Sequence, residues 1–308
     1  MRAAFIADFG EPWVVQVGEV DDPLVGPDFV LVSVRAAGVN PVDWKIVAGY
    51  LQGAFPHHLP LVPGWDVAGV VESVGPAVTS VRPGDRVLAY ARKDHVQYGT
   101  FAEQVAVPER GVARIPDGVE FVPAGGLPLA GLTAEQLLEA AEVTKADTVL
   151  VHNAAGGVGT FAVQLAALRG ARVIGTASPG RHDYVRSLGG EPVEYGEGLS
   201  QRVRDVAPDG VDVVLDLVGG DALEQSRDCL APEGRVASVT DPGVAEQPGG
   251  KYVFVRPDAH MLDRLVGHVA DGRLRVEVAE TFPLDEAARA LARSKEGHTQ
   301  GKLVVTVT

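Results

Sequence analysis

Short apolar segments alternate with helical segments between residues 147 and 240, and few folds accommodate such a pattern. DTVLVHN is followed by TFAVQLAALRG, ARVIGTA by RHDYVRSLGG, and VDVVLDLVGG by ALEQSRDCLA, with short connectors between them. A regular strand-helix alternation is typical of a doubly wound parallel sheet. We therefore predict an α/β fold in which this part of the chain forms such a sheet.

The beginning of the chain has a different pattern. From Met1 to about Val119, short apolar strands such as 29–39 and 67–75 are separated by Gly-Pro and Pro-Gly turn signals. This pattern indicates a mostly β domain with a bent or barrel-like sheet. Because 308 residues are many for one core, we expect two domains. The first comprises 1–122 with 274–308, whose last strand rejoins it, and the second comprises 123–273.

Composition excludes several classes of protein. Twenty-seven basic and 41 acidic residues give a net charge of −14, and so acidic a surface repels the phosphate backbone of nucleic acid. No run of about 18 apolar residues is present to cross a membrane, and the first residues lack the apolar stretch of a signal peptide. The single cysteine, Cys229, cannot form an internal disulfide. We expect a soluble cytoplasmic protein that binds neither nucleic acid nor a membrane.

Residues 151–160, VHNAAGGVGT, connect the first strand of the alternating part to a helix. Gly156 and Gly159 match the second and third glycines of the G-x-G-x-x-G dinucleotide pattern, and Ala154 replaces the first. In such a loop, backbone N–H groups and the helix dipole face a pyrophosphate. The alternative is a glycine turn that only joins strand to helix. The predicted phosphate-binding residues are Ala155, Gly156, Gly157 and Val158.

The end of the next strand indicates which dinucleotide binds. NAD-binding domains usually carry an acidic residue there, about 20 residues past the loop, to hold the ribose hydroxyls. This sequence has Thr176, Ser178 and Arg181 instead. Hydroxyl and guanidinium groups suit a 2′-phosphate, and no carboxylate repels it. NADPH is therefore favoured over NADH, although Ser178 and Arg181 could also be the solvated start of a helix with Ser178 as its N-cap.

Six segments spread over essentially the whole chain carry a recognisable pattern. They are AAGVNPVDWKIVAG at 36–49, VPGWDVAGVVESVG at 62–75, VRPGDRVLAY at 81–90, LPLAGLTAEQLL at 127–138, HNAAGGVGTFAVQLA at 152–166 and QGKLVVTV at 300–307. In this order they resemble the zinc-independent quinone oxidoreductase and enone (alkenal) reductase branch of the medium-chain dehydrogenase/reductase superfamily. The resemblance implies a GroES-like mostly-β catalytic domain, a Rossmann domain and an active site in the cleft between them.

The resemblance also bears on metal and reaction type. Where zinc-dependent relatives have a cysteine and a His-Glu pair, this chain has Asn40 and Trp65-Asp66, so ligands for a catalytic zinc are missing. Hydride addition to a quinone or to the β-carbon of an α,β-unsaturated carbonyl needs no Lewis acid. The implied activity is therefore an NADPH-dependent, metal-free quinone or enone reductase. Two alternatives stay open: a cofactor-binding regulatory protein with little catalysis, and a zinc alcohol dehydrogenase with metal at Asp66 or His57.

Several site residues follow from the same resemblance. Asn40 matches an asparagine near the nicotinamide, with an Asx-turn before Pro41 as the alternative. Lys45 and Tyr50 are candidate catalytic groups beside Trp44. The alternative is that Lys45 is an ordinary surface lysine and that Trp44 and Tyr50 are core aromatics. The candidate cofactor contacts, beyond Asn40 and the loop, are Thr133, Tyr195, Leu217, Val218, Gly219, Val239, Thr240, Phe254 and Val255. Residues 251–257, KYVFVRP, predict one further strand, and residues 261–272, MLDRLVGHVADG, predict a helix after it. Relatives are commonly dimers, so we expect a homodimer with the apolar strand that begins at Lys251 as its edge; a monomer is the alternative.

Overall fold

The computed structural model describes all 308 residues and divides into two compact units. The terminal unit consists of Met1–Leu132 and Pro257–Thr308, and the central unit consists of Thr133–Arg256. The sequence placed these boundaries at 122/123 and 273/274 instead. The difference arises mainly from one amphipathic helix near residue 265, because its pattern shows that one face is buried but not which unit buries it.

The elements of the terminal unit's first segment are mostly short strands. They are β1 (Arg2–Phe5), β2 (Gln16–Glu19), β3 (Phe29–Val39), α1 (Pro41–Val47), β4 (His57–Val62), β5 (Asp66–Val74), β6 (Arg86–Tyr90), β7 (Val96–Tyr98), β8 (Gln104–Pro108), β9 (Val112–Arg114), α2 (Phe121–Gly126) and α3 (Pro128–Ala140). The domain boundary falls within α3.

In the central unit, strands alternate with helices as the sequence predicts. The elements are β10 (Thr148–Val151), α4 (Gly159–Leu168), β11 (Arg172–Thr176), α5 (His182–Ser187), β12 (Glu191–Val193), α6 (Leu199–Val206), β13 (Val211–Asp216), α7 (Asp221–Arg227), β14 (Leu230–Ser238) and β15 (Gly250–Tyr252). The chain then returns to the terminal unit with α8 (Ala259–Ala270), β16 (Val278–Pro283), α9 (Ala287–Glu296) and β17 (Lys302–Thr306).

The main sheet of the terminal unit is built around β3. This strand pairs antiparallel with β5, β8 and β17, and β17 pairs parallel with β16. Val30, Val32 and Val34 alternate on its buried face, as expected for a half-buried strand. The pairing of Leu303 with Val39 confirms that the last strand rejoins the first domain. The mostly β prediction for this part of the chain is therefore confirmed.

The central unit contains one sheet of six parallel strands in the order β12-β11-β10-β13-β14-β15. Numbered within this sheet, the order is 3-2-1-4-5-6, which is that of the Rossmann fold, and the predicted Rossmann-type sheet is confirmed. Because β10 is the first strand of this sheet in sequence and lies between β11 and β13, the strand order reverses beside it. Ligands of open parallel sheets bind at the carboxyl ends of the strands near such a reversal.

The predicted strand at 251–257 is wrong in extent. Only Gly250–Tyr252 forms strand, followed by one further hydrogen bond from Val253 N–H to the carbonyl of Ser238 at 2.9 Å. The pairing ends there because the neighbouring strand, β14, itself ends at Ser238. The predicted helix that follows is present as α8, which buries Met261, Leu262, Leu265 and Val266 and packs beside β9.

No helix of the structure combines the length and the apolar character needed to cross a membrane.

Candidate cofactor and active site

The glycine-rich loop joins β10 to α4 in the central unit. Ala154 N–H donates to the carbonyl of Thr176 at 2.9 Å, and Gly156 N–H donates to the carbonyl of Asn153 at 2.9 Å. The backbone N–H groups of Ala155, Gly157 and Val158 make no hydrogen bond within the chain. Three free donors at the amino end of a helix form a ready site for an anion such as a pyrophosphate.

The close packing of this loop explains its two glycines. A Cβ at Gly159 would lie 2.1 Å from the carbonyl oxygen of Asn153, which is backbone and cannot move aside easily. A Cβ at Gly156 would lie 2.5 Å from Asn153 Nδ2, the end of a side chain that can rotate. Ala154, the departure from the usual pattern, is buried, and its methyl occupies the space left by Gly175 on β11. A small side chain therefore fits where the first glycine is usually found.

The candidate 2′-phosphate residues follow β11. Ser178 precedes a 3₁₀ turn, Pro179–Arg181, and its side chain makes no capping hydrogen bond. Thr176 is buried, and its hydroxyl oxygen accepts the backbone N–H of Asn153 at 3.0 Å. Thr176 thus holds the glycine-rich loop, whereas the partly exposed Ser178 and Arg181 lie beyond the strand end.

Tyr195 lies on a neighbouring loop, since Val193 of β12 pairs with Thr176 of β11. Tyr195 is 53% exposed. The guanidinium of Arg202 on α6 donates to the carbonyls of Glu194, Tyr195 and Gly196 at 2.9, 3.2 and 3.2 Å, and so fixes this loop. The sequence alone does not reveal Arg202, because an arginine on an amphipathic helix gives no sign that it hydrogen-bonds the backbone of the preceding loop.

Asp216, at the end of β13, was also missed. Its carboxylate is fully buried and accepts hydrogen bonds from the backbone N–H groups of Val218 and Gly219, at 3.0 and 2.7 Å. It also accepts from the hydroxyls of Ser238 and Thr240, at 2.6 and 2.7 Å. Burial alone would raise the pKa of Asp216, but these hydrogen bonds outweigh it and lower that pKa. The side chain is therefore a carboxylate that joins two segments predicted to contact the cofactor.

His152 lies beside Asp216 at the end of β10, and its backbone N–H donates to the carbonyl of Leu215 at 3.1 Å. Its Nε2 is 2.5 Å from the hydroxyl of Ser226, which itself donates to the carbonyl of Ala222 at 2.6 Å. Because the hydroxyl has one hydrogen, Nε2 carries the proton. Burial lowers the pKa of His152 to about 4, with Asp216 opposing the shift. His152 is thus a neutral structural histidine.

Asn40 lies in a buried polar cluster of the terminal unit, which we call the lysine cluster: Asn40, Asp43, Asp66 and Lys302. The Lys302 ammonium donates to Asn40 Oδ1 and, at 3.1 Å, to the carbonyl of Val39. Asn40 Nδ2 donates to Asp66 Oδ2 at 2.8 Å, and Leu129 N–H donates to Asp66 Oδ1 at 2.7 Å. All four members of the cluster are at most 3% exposed.

Protonation within the lysine cluster follows from burial and neighbouring charges. Burial raises the pKa of Asp43 to about 8, although its Oδ2 accepts Asn40 N–H at 2.7 Å. Burial also raises the pKa of Asp66, to about 6, against the opposing effects of Lys302 and Asn40. The Lys302 ammonium is 3.9 Å from Asp66 Oδ2. At neutral pH the cluster therefore contains an Asp66–Lys302 ion pair and a protonated Asp43.

Lys45 and Tyr50 are exposed around Trp44. The Trp44 ring lies 5.8 Å from Lys45 Nζ, 5.6 Å from Lys295 Nζ and 5.9 Å, edge on, from the Tyr50 ring. Neither candidate hydrogen-bonds to the buried Asn40. The structure thus brings Lys45 and Tyr50 together on one surface but does not join them to Asn40, and their catalytic roles stay predictions.

The remaining candidate cofactor contacts lie in the central unit. Thr133 is buried in α3. Leu217, Val218 and Gly219 follow β13, while Val239 and Thr240 follow β14, and Phe254 and Val255 follow β15. Most candidate cofactor contacts therefore lie just past the carboxyl ends of parallel strands, where such sheets bind ligands.

Comparison with known proteins identifies the family of this chain. Residues 26–117 match the family model "Alcohol dehydrogenase GroES-like domain", and residues 190–305 match "Zinc-binding dehydrogenase". The NADPH-dependent alkenal/one oxidoreductase of Arabidopsis thaliana is 34% identical, over 99% of this chain and 79% of its own length. This chain belongs to the quinone and enone reductase branch of the medium-chain dehydrogenase/reductase superfamily. The resemblance drawn from the six sequence segments is confirmed.

Solved structures of the superfamily share the fold over the full chain. The quinone oxidoreductase from Coxiella burnetii has a TM-score of 0.89 and 34% identity, with 100% of this chain and 99% of that chain covered. A mycobacterial protein whose structure was solved with NADPH has a TM-score of 0.86 and 29% identity, with 99% and 100% covered. The GroES-like and Rossmann assignments are therefore confirmed.

The donor set of this superfamily member does not suit a zinc ion. No group of three or more His, Cys, Asp or Glu side chains is placed to hold a metal. Asp66 is already occupied by Asn40 and Leu129, and His57 Nδ1 lies 2.7 Å from the carbonyl of Phe55. A catalytic zinc needs about three protein ligands, and the residues at the matching positions do not provide them.

Proposed function

We propose that this protein is an NADPH-dependent oxidoreductase that transfers hydride to a quinone or to the β-carbon of an α,β-unsaturated carbonyl, without a metal. The observation that carries the proposal is the anion site at the amino end of α4, with three free N–H donors and no acidic residue at the end of β11. The names of the similar proteins, an alkenal/one oxidoreductase and a quinone oxidoreductase, support the same activity.

Different residues of the chain bind different parts of the cofactor. Ala155, Gly157 and Val158 offer backbone N–H groups to the pyrophosphate, and Gly156 matches the pattern's second glycine, which lets the backbone approach the pyrophosphate. Ser178, Arg181 and Tyr195 take the 2′-phosphate, for which a guanidinium and hydroxyls are suitable partners. The segments after β13, β14 and β15 take the nicotinamide end. When bound, NADPH supplies the hydride, while the protein binds and orients the reactants.

The substrate end of the site is assigned to the terminal unit. We assign Asn40 to the nicotinamide ribose or the substrate and Lys45 and Tyr50 to stabilising the substrate oxygen. One amide hydrogen of Asn40 is available for this contact, because the other is donated to Asp66, while its oxygen already accepts one hydrogen bond from Lys302. Covalent catalysis by the single cysteine is disfavoured, since burial raises the pKa of Cys229 to about 11.

A second candidate function is cofactor binding with little turnover. The specific observation that favours it is the separation of the three catalytic candidates: Asn40 is enclosed in the lysine cluster, while Lys45 and Tyr50 surround Trp44 at the surface. Tight NADPH binding without oxidation by any acceptor would select this candidate.

We also propose that the protein is a cytoplasmic homodimer. The three-residue strand β15 forms one edge of the parallel sheet, and pairing of two such edges would give a homodimer. A single buried cysteine with no disulfide suits the reducing cytoplasm. Sedimentation equilibrium tests the dimer, and a monomer at micromolar concentration would exclude it.

The cofactor part of the proposal is tested by titrating the protein with NADPH and with NADH while following tryptophan fluorescence. We expect NADPH to bind at least about tenfold more tightly, the effect of one charge-assisted hydrogen bond. Tighter binding of NADH would overturn the proposal. Turnover is then followed at 340 nm with a panel of quinones and enones. Activity that survives dialysis against EDTA supports metal independence, and loss of activity restored by zinc contradicts it.

A further inference from the structure

The geometry points to Asp216 as a positioning residue that clamps two cofactor-binding segments together, the segment 217–219 after β13 and the segment 239–241 after β14. The inference rests on the proposed function for the identity of the ligand, NADPH, but the clamp itself is a property of the protein alone. Asp216 is enclosed in the protein and is assigned no contact with NADPH. Its effect on the cofactor would pass entirely through the two segments.

The two carboxylate oxygens serve different segments. Oδ1 accepts the N–H groups of Val218 and Gly219, at 3.0 and 2.7 Å, and so holds the turn after β13. Oδ2 accepts the hydroxyls of Ser238 and Thr240, at 2.6 and 2.7 Å, and so holds the turn after β14. A residue with only one acceptor oxygen could satisfy one segment but not both.

Ser238 extends the clamp to the backbone of the second segment. While its hydroxyl donates to Asp216, its oxygen accepts the N–H groups of Thr240 and Asp241, each at 3.0 Å. Ser238 is fully buried, as is Asp216. Four backbone N–H groups in two separate turns therefore depend, directly or through one hydroxyl, on one carboxylate. Buried networks of this kind are rigid when every member is satisfied.

The position of the clamp in the fold gives it a role beyond stability. Asp216 and Ser238 pair in register at the carboxyl ends of β13 and β14, on the side of β10 where the strand order reverses. The glycine-rich loop follows β10, directly beside β13. The two clamped turns consequently border the expected cofactor site, and Val218, in the first turn, is 53% exposed.

The chain offers a matched control in Asp147. This side chain is also buried and accepts the N–H and hydroxyl of Thr144 at 2.6 and 3.0 Å, together with a hydrogen bond from Arg235. It lies before β10, at the opposite end of the same sheet. Asp147→Asn removes a similar buried charge without touching the two turns.

The experiment compares wild type, Asp216→Asn, Ser238→Ala and Asp147→Asn. Hydrogen–deuterium exchange of the cofactor-free proteins measures how firmly the two turns are held. The dissociation constant of NADPH measures the effect on cofactor binding. We expect Asp216→Asn, which keeps only one acceptor oxygen, to accelerate exchange in at least one of the two turns while Leu150 and Leu215 in the sheet stay protected, and to weaken NADPH binding roughly tenfold. Ser238→Ala should accelerate exchange at 240 and 241 only. Asp147→Asn should lower the free energy of unfolding. It should leave the exchange rates in the two turns and the dissociation constant of NADPH unchanged.

Two results would overturn the inference. One is unchanged exchange at 218, 219, 240 and 241 in folded Asp216→Asn, and the other is equal NADPH affinity in Asp216→Asn and Asp147→Asn. If Asp216→Asn does not fold, Ser238→Ala decides, because it retains the carboxylate, and unchanged exchange at 240 and 241 would refute the relay. A wild-type protein that does not bind NADPH would refute the proposed function, while the exchange data would still decide the clamp.

Discussion

The ammonium of Lys302 donates a hydrogen bond to the side-chain oxygen of Asn40, 262 residues earlier in the chain. Because an ammonium can only donate, the Asn40 oxygen must face Lys302 and its nitrogen must face Asp66. The last strand of the protein thus fixes the orientation of a candidate active-site amide near its beginning. The lysine cluster places a buried cation at the part of the chain where zinc-dependent relatives of the superfamily are expected to hold their metal.

Removing the Lys302 charge is expected to destabilise the fold strongly. Lys302→Met leaves Asp66 buried without its counter-ion, and breaking a buried pair in this way lowers the free energy of unfolding by about 3–5 kcal/mol. The double variant Lys302→Met/Asp66→Asn should recover part of that loss. Urea denaturation measures both. Lys295→Met, at an exposed lysine near Trp44, is the control, and an effect of Lys302→Met no larger than this control would contradict the prediction.

Asp43 should make stability depend on pH. Burial raises its pKa from an ordinary 3.8 to about 8, so the folded state binds more protons than the unfolded state between these values. Its contribution is then fully present below pH 3.8 and is lost as pH rises through about 8. Asp43→Asn should remove this contribution, so the stability of the variant relative to wild type should increase from pH 5 to pH 8.

The pH prediction is tested by measuring urea midpoints of wild type and Asp43→Asn at several pH values. The two proteins must be compared with each other, because His152 changes the stability of both with pH in the opposite direction. Its pKa is lowered to about 4, so its contribution is lost as pH falls from about 6.5 to about 4. Asp183→Asn, at an exposed aspartate, serves as the control. Parallel pH curves for Asp43→Asn and wild type would show that Asp43 does not hold a proton in the folded state.

Substitutions at the two loop glycines should separate folding from cofactor binding. Gly159→Ala forces a methyl against the Asn153 carbonyl, so it should lower stability by about 1–3 kcal/mol, as overpacking does. Gly156→Ala displaces only the Asn153 side chain and should fold, but it should weaken NADPH binding, because the second glycine of the pattern lets the loop backbone approach the pyrophosphate. Thermal melts and NADPH titration distinguish the two. Gly267→Ala, in open space on α8, should be neutral or slightly stabilising, and equal losses in all three variants would refute this explanation.

Arg181 is expected to select the phosphorylated cofactor. Arg181→Ala should raise the dissociation constant of NADPH roughly tenfold or more and leave that of NADH nearly unchanged, because only NADPH has the 2′-phosphate. The matched control is Arg186→Ala, since Arg186 on α5 is paired with Asp183 at 2.7 Å. Fluorescence titration with both cofactors provides the measurement. Equal weakening of NADPH and NADH binding would assign Arg181 a general role instead.

Local features of the sequence were sufficient for much of the fold. The alternation from 147 to 240 predicted the parallel sheet, and Gly156 and Gly159 marked the loop, because the chemistry of a tight turn at a helix start is read from adjacent residues. The absence of an acid after β11 was likewise visible. The strand at 251–257 was predicted too long, since its extent depends on where the neighbouring strand β14 ends.

The residues that organise the site could not be found this way. Lys302, Asp216 and Arg202 act on partners brought close by folding, and each looks in the sequence like an ordinary strand-end or helix charge. Their burial and hydrogen bonds, rather than their neighbours in the chain, give them their roles. The domain boundary was displaced for the same reason, because the amphipathic pattern of α8 does not specify which core receives it.

The most direct test follows the transferred hydrogen. NADPH with deuterium at both C4 positions of the nicotinamide is incubated with the protein and 3-penten-2-one, and the product is analysed by NMR and mass spectrometry. The proposed function predicts the saturated ketone with one deuterium at the β-carbon. Deuterium at the carbinol carbon of an unsaturated alcohol, as an alcohol dehydrogenase would give, or no product from this or any other enone or quinone, would contradict it.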